Sequence, residues 1–128
     1  MKVCLLSYND IDIICITETH LNNDISDSEI EIDGYDFYRK DRDFDIEIDE
    51  GDNEVSDGGG SIIYFKKFIC ATLVDKFYKT APDSLAITLN SSIGKVCIAC
   101  IYRSPNLTKI KNLELLSCIE EFWIGAFL

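Results

Sequence analysis

Few residues in this chain have the type and setting for chemistry. Glu18 closes the run Ile11-Asp12-Ile13-Ile14-Cys15-Ile16-Thr17, and polar residues follow it. The run is β-branched and nearly all apolar, so it predicts a central strand buried on both faces. A carboxylate at the end of such a strand can hold a hard cation such as Mg²⁺, which takes few protein oxygens and keeps several waters. Tyr102 ends a second apolar run, Lys95 to Tyr102. Its hydroxyl can hydrogen-bond a phosphate oxygen, although a tyrosine there is also an ordinary amphipathic core residue. His20 is the only histidine. Nothing near it in sequence would orient it, so it is expected to be an exposed loop residue.

Two more obvious features carry less. Residues 41–57 hold nine acids and one arginine. A calcium loop needs oxygens at its first, third and fifth positions, glycine at the sixth and glutamate at the twelfth. A frame from Asp45 meets Glu50 and Ser56 at the last two, and a frame from Asp41 meets Ile46 and Asp52. Neither fits, so a solvated acidic loop is expected, with Asp43–Asp49 a weak edge strand. Cys97 and Cys100 form a C-x-x-C, but inside a strand-like run, where residues three apart face opposite sides. A zinc or redox site of that motif needs convergent sulfurs, so reduced core thiols are expected for the cysteines. The sequons at Asn90 and Asn106 carry no argument in a chain with no evident route to secretion.

The elements that must position Glu18 and Tyr102 follow from pattern. Gly34–Arg39 predicts a short aromatic strand. Four further strands are expected at 61–66, 69–76, 84–90 and 95–103, joined by turns. In the third of these, Leu85, Ile87 and Leu89 share one face, and Ala86, Thr88 and Asn90 the other. Arg103-Ser104-Pro105-Asn106 breaks the last. A helix is expected from about Thr108 to Phe122, with Ile110, Leu113, Leu116 and Ile119 at helical spacing. Residues 1–9 read as the end of a helix. The fold class is therefore α/β or α+β, a mixed and mostly antiparallel sheet with flanking helices.

Composition sets the outer bounds. The chain has 128 residues, 47% of them apolar, which excludes intrinsic disorder and suits one domain. The net charge of −11 is uneven: residues 1–60 hold 18 acids against 4 bases, residues 61–128 hold 5 against 8. An acidic first half is a poor partner for nucleic acid or anionic lipid. No apolar run approaches 18 residues and the N-terminal stretch is too short for a signal peptide, so an intracellular, cytoplasmic or nuclear, protein is expected.

In chain order, Asp12-Ile13-Ile14-Cys15-Ile16-Thr17-Glu18-Thr19-His20-Leu21, Gly34-Tyr35-Asp36-Phe37-Tyr38-Arg39-Lys40-Asp41-Arg42, Gly58-Gly59-Gly60-Ser61-Ile62-Ile63-Tyr64, Asp83-Ser84-Leu85-Ala86-Ile87 and Ile101-Tyr102-Arg103-Ser104-Pro105-Asn106 resemble the N-terminal half of the endonuclease/exonuclease/phosphatase family. The string looks most like the endonuclease domain of non-long-terminal-repeat retrotransposons, over about residues 10–106. The resemblance implies a four-layer sandwich and Mg²⁺-dependent phosphodiester hydrolysis. In the retroelement members, nicking of target DNA primes reverse transcription. It makes Glu18 the metal-binding carboxylate and Tyr102 the active-site tyrosine near the scissile phosphate. It makes the acidic, Gly-rich stretch 41–60 a loop insertion. The family's N-terminal metal-binding Asn, its Gly-Asp-Phe-Asn and its Ser-Asp-His are absent. A single truncated domain over residues 1–128, inactive alone, is therefore expected. A complementary fragment, or self-association through an exposed sheet, is the implied partner besides DNA. The alternative is a non-catalytic acidic protein-interaction module, using residues 41–57 to attract a basic partner.

Overall fold

β3, Ser61–Lys66, is the axis of the first of two stacked sheets. The computed structural model describes residues 11–42 and 58–127. The expectations for residues 1–9 and for a strand at 43–49 lie outside them. β3 takes β1, Ile13–Thr17, on one side and β2, Tyr35–Lys40, on the other, both antiparallel. The second sheet has the order β4-β5-β6, from Ala71–Leu73, Leu85–Ser91 and Gly94–Cys100, also antiparallel throughout. α1, Asp75–Thr80, links β4 to β5, and α2, Lys109–Phe127, follows β6. The class is α+β, as the sequence predicts.

Strand alternation builds the core. Ile63 and Phe65 point from β3 into the space between the sheets, where they meet Leu85, Ile87 and Cys100. On the far face of β3, Tyr64 donates to the carbonyl of Ile30 at 2.7 Å, and its ring meets Phe37 at 5.5 Å. The outer face of the second sheet carries Ala86 paired with Ala99, small enough for helices to lie close. Phe77 of α1, Ala81 just past its end, and Leu115, Cys118 and Phe122 of α2 cover it. Burying a leucine such as Leu115 contributes roughly 1.5–3 kcal/mol. β2 is tied across to α1: Lys40 donates to the carbonyls of Tyr78 and Ala81, a cation placed on the open end of a helix.

Three expectations are corrected. Among the described residues β1 is not central: it is the edge of its sheet, with Cys15 and Thr17 exposed, because β3, buried from Ser61 to Phe65, takes the middle. The strand expected over 69–76 shrinks to Ala71–Leu73, and the chain turns into α1 so that Phe77 can be buried. α2 runs to Phe127, and of its expected apolar stripe only Ile119 packs on the core, while the other three face outward. Ile110, Leu113 and Leu116 are 71%, 58% and 59% exposed, while Leu115 is 2% exposed. Cys97 and Cys100 both lie in β6 as expected, and by alternation Cys97 shares the helix-side face of Ala99.

Candidate functional site

The ends of five strands converge on one corner. β1 and β6 finish there, β3 and β5 begin there, and β2 runs out through Asp41 to Arg42. Past the last ladder pair of β1 and β3, Thr17 with Ser61, two more backbone bonds continue: Thr19 N–H to Gly60 O at 3.3 Å and His20 N–H to Gly59 O at 3.0 Å. These bonds hold Glu18 between them.

The structure brings together the two residues singled out from the sequence. Tyr102 Oη donates to Glu18 Oε1 at 2.5 Å, although 84 residues separate them. Ser84 fixes the tyrosine's backbone: its Oγ accepts from Tyr102 N–H at 3.0 Å. The Glu18 carboxylate, as acceptor, holds the Tyr102 phenol protonated above its ordinary pKa. Asp83 adds to that effect and Arg42 opposes it, so all four side chains share one electrostatic site.

Arg42 and Asp83 were quoted in the motif string but not assigned to the site. Arg42 Nη2 donates to Asp83 Oδ2 at 2.9 Å and Nε to the same oxygen at 3.2 Å. Gly60 N–H reaches Asp83 Oδ1 at 3.4 Å, and Ser61 Oγ donates to the Asp83 carbonyl at 2.5 Å. The one sequence signal is local: Asp83 and Ser84 lie just before β5, and Arg42 lies two residues past β2. The pairing of Arg42 with Asp83 across 41 residues has none.

Backbone strain gathers at this corner as well. Glu18, His20 and Asp83, with φ of 53°, 55° and 50°, are the only non-glycine residues with positive φ among the described residues. Such conformations cost free energy and cluster where surrounding structure holds functional groups in place. Gly59 and Gly60 meet them, also at positive φ. A β-carbon on Gly60 would come within 2.6 Å of Thr19 Oγ1, and one on Gly59 within 2.5 Å of the Arg42 guanidinium. The Gly-Gly pair thus lets Arg42 cross to Asp83. His20 is exposed, as expected, and joins the corner through its backbone.

Charge decides what the corner can receive. The Arg42–Asp83 pair is internally neutral, so Glu18 leaves the group one negative charge. A bare phosphate would be repelled, and a cation would be attracted. Glu18 is exposed and offers oxygen, the donor Mg²⁺ prefers, and that ion accepts one protein carboxylate with waters and substrate phosphate completing its shell. Among the described residues, no three His, Cys, Asp or Glu side chains gather as a ready-made metal cage. Beyond Arg42 opens a cleft of about 1010 Å³, onto which Arg39, Lys40, Lys79 and Lys111 also face. Each has a partner: Arg39 binds Asp27 and Asp41, Lys40 the α1 carbonyls, Lys79 Asp75, and Lys111 Glu114.

No helix among the described residues is long and apolar enough to cross a membrane. No protein-family model, curated protein or solved structure matches this chain.

Proposed function

We propose that the corner formed by Glu18, Tyr102, Arg42 and Asp83 is part of a Mg²⁺-dependent phosphodiesterase centre of the endonuclease/exonuclease/phosphatase kind, acting on DNA, and that the chain does not complete the reaction alone. The observation that carries this reading is the 2.5 Å contact between Glu18 and Tyr102. Two strand ends, one from each sheet, set a metal-type carboxylate against a phenol. Glu18 would give the ion one oxygen. The bound ion would neutralise and polarise a phosphate group. Tyr102, kept protonated, would offer its O–H to a phosphate oxygen. Hydrolysis also needs a base for the attacking water and a proton donor for the leaving oxygen. The sequence holds neither Gly-Asp-Phe-Asn nor Ser-Asp-His, and no carboxylate among the described residues is hydrogen-bonded to the exposed His20. Such groups act as a unit, so the rate collapses without them.

The test is nicking of supercoiled plasmid with Mg²⁺. The expected outcome is no nicking by this chain, and nicking once a second polypeptide bearing the two missing motifs is added, lost again in Glu18→Ala. Glu18-dependent nicking by the chain alone would overturn the inactivity. Absence of nicking in the reconstituted pair, with association demonstrated, would overturn the nuclease reading.

A second reading rests on charge. Residues 43–57 carry eight acids and no base, and they join the fold at Arg42 and Gly58, on the rim of the same corner. This fits a module that attracts a basic protein. Binding of a basic partner that survives both high salt and neutralisation of the segment would remove it.

A further inference from the structure

We propose that Cys15 and Cys100 form a hydroperoxide-sensitive dithiol pair, whose disulfide joins the edge strands of the two sheets beneath the Glu18–Tyr102 contact. The inference is independent of the nuclease reading, since it uses neither the metal nor DNA.

Ladder register places the two sulfurs together. Cys15 lies opposite Ile63 on β3, and Cys100 lies opposite Leu85 on β5. Ile63, Leu85 and Cys100 belong to the one cluster between the sheets. Cys15 shares the inward side of β1 with Ile13, which packs on that cluster. Among the described residues β1 and β6 are both edges, and the two strands are in contact with each other. Between them the Cys100 thiol contacts the carbonyl of Ile16 at 3.6 Å. The two thiols perturb each other's ionisation, Cys15 downward and Cys100 upward.

The pair is asymmetric, as a two-step oxidation requires. Cys15 is exposed on its edge strand, and Cys100 is buried. Beside Cys100, the Cys15 pKa is lowered to about 7, against the smaller upward push of its own partial burial. Cys100 keeps its proton, and its pKa is raised. The reachable sulfur is therefore the nucleophilic one. Its lone pair attacks one oxygen of hydrogen peroxide, the O–O bond breaks, and the departing hydroxide takes a proton to become water. Cys15 is left as a sulfenic acid, oxidised by two electrons. The Cys100 sulfur then attacks Cys15, the S–O bond breaks, and a second water leaves with the Cys100 proton. Two thiols and one peroxide thus give one disulfide and two waters. The sulfurs must close to about 2 Å, and β1, which pairs with one strand only among the described residues, has room to move. The bond would fix the strand ends three residues before Glu18 and two before Tyr102.

The experiment treats the whole chain, under native conditions, with hydrogen peroxide. Remaining thiols are then alkylated, and non-reduced tryptic peptides are mapped by fragmentation. Cleavage after Lys2 and Arg39 leaves Cys4 and Cys15 on one peptide, and cleavage after Lys95 and Arg103 leaves Cys97 and Cys100 on another, so variants assign the bond. The expected result is a linkage between the Cys15 and Cys100 peptides in wild type, reversed by dithiothreitol and retained in both Cys97→Ser and Cys4→Ser. In Cys100→Ser, the linkage is lost and a dimedone-reactive sulfenic acid accumulates at Cys15. In wild type, which requires no variant to fold, oxidation of the Cys15 peptide without linkage to the Cys100 peptide, or its linkage to Cys70 or Cys118, overturns the proposal, as does loss of the linkage in Cys97→Ser or Cys4→Ser.

Discussion

The Arg42 guanidinium lies against the α-carbon of Gly59, close enough that a β-carbon there would come within 2.5 Å of Nε and Nη2. Gly59 also has φ of +89°. Gly59→Ala therefore meets both a left-handed backbone and a clash with Arg42. A loss of about 1–3 kcal/mol is expected from the strain, with more from the displaced guanidinium. Urea unfolding measures it. In Gly59→Ala/Arg42→Ala the loss should be smaller than the sum of the single losses. Strict additivity would show that the two residues do not touch.

Asp83 is the other end of that arrangement. Side-chain exposures of 20% and 9% for Arg42 and Asp83 place the pair between a surface and a buried bridge. Asp83→Asn keeps the shape and the tolerance for positive φ, and removes the charge. Between the small value of exposed pairs and the large cost of orphaning a buried charge, a loss of about 2–4 kcal/mol is expected. A loss near zero by denaturant titration would mean that water already satisfies Arg42.

Glu18 and Tyr102 were legible because strand ends can be read from apolar runs that stop. Their contact was not, since it depends on how two sheets stack, and neither run encodes that. β1 looks like a central strand because Ile13, Ile14 and Ile16 leave no polar face. Only the pairing of β3 with both β1 and β2 shows which strand takes the middle. α1 was hidden because Ala71-Thr72-Leu73-Val74 reads as a continuous strand, and the turn into a helix is driven by a distant cavity that Phe77 fills against Phe122, ring to ring at 5.5 Å. α2 carries apolar residues on two sides. Periodicity alone could not choose between Leu113-Leu116 and Leu115-Cys118-Phe122, and the shallow alanine floor of Ala86 and Ala99 decided it.

That choice is open to measurement. Leu115→Ala is expected to cost about 2–5 kcal/mol, because it empties a packed site. Leu113→Ala, on the exposed side, is expected to stay within about 0.5 kcal/mol. Thermal or urea unfolding of the two variants compares them. Equal losses would mean that the outer face of α2 is covered in solution.

The acidic segment bears on DNA if the nuclease reading holds. Eight charges attached at Arg42 and Gly58 oppose an approaching phosphate backbone. Changing the Asp and Glu of residues 43–57 to Asn and Gln should tighten DNA association by about tenfold at moderate salt, with the gain shrinking as salt rises. Fluorescence anisotropy with a labelled duplex reads it. A gain that ignores salt would not be electrostatic.

The Glu18–Tyr102 bond makes a prediction in alkali that holds whatever the chain's reaction. Glu18, as hydrogen-bond acceptor and then as a nearby negative charge, raises the Tyr102 pKa above its ordinary value of 10.0. A group raised on folding binds its proton more tightly in the folded state. Its contribution to stability is therefore complete below the unfolded pKa and is lost as pH climbs through the folded one. The expected signature is a fall in stability above pH 10.0 that Tyr102→Phe lacks. In Glu18→Gln the carboxylate's charge is gone, so Tyr102 should titrate at lower pH than in wild type. Tyrosinate absorbance, taken as the difference between each protein and its Tyr102→Phe counterpart, isolates this one phenol from the other five tyrosines. A Tyr102 titration unchanged by Glu18→Gln would break the link between the two residues, and with it the contact on which the proposed centre rests.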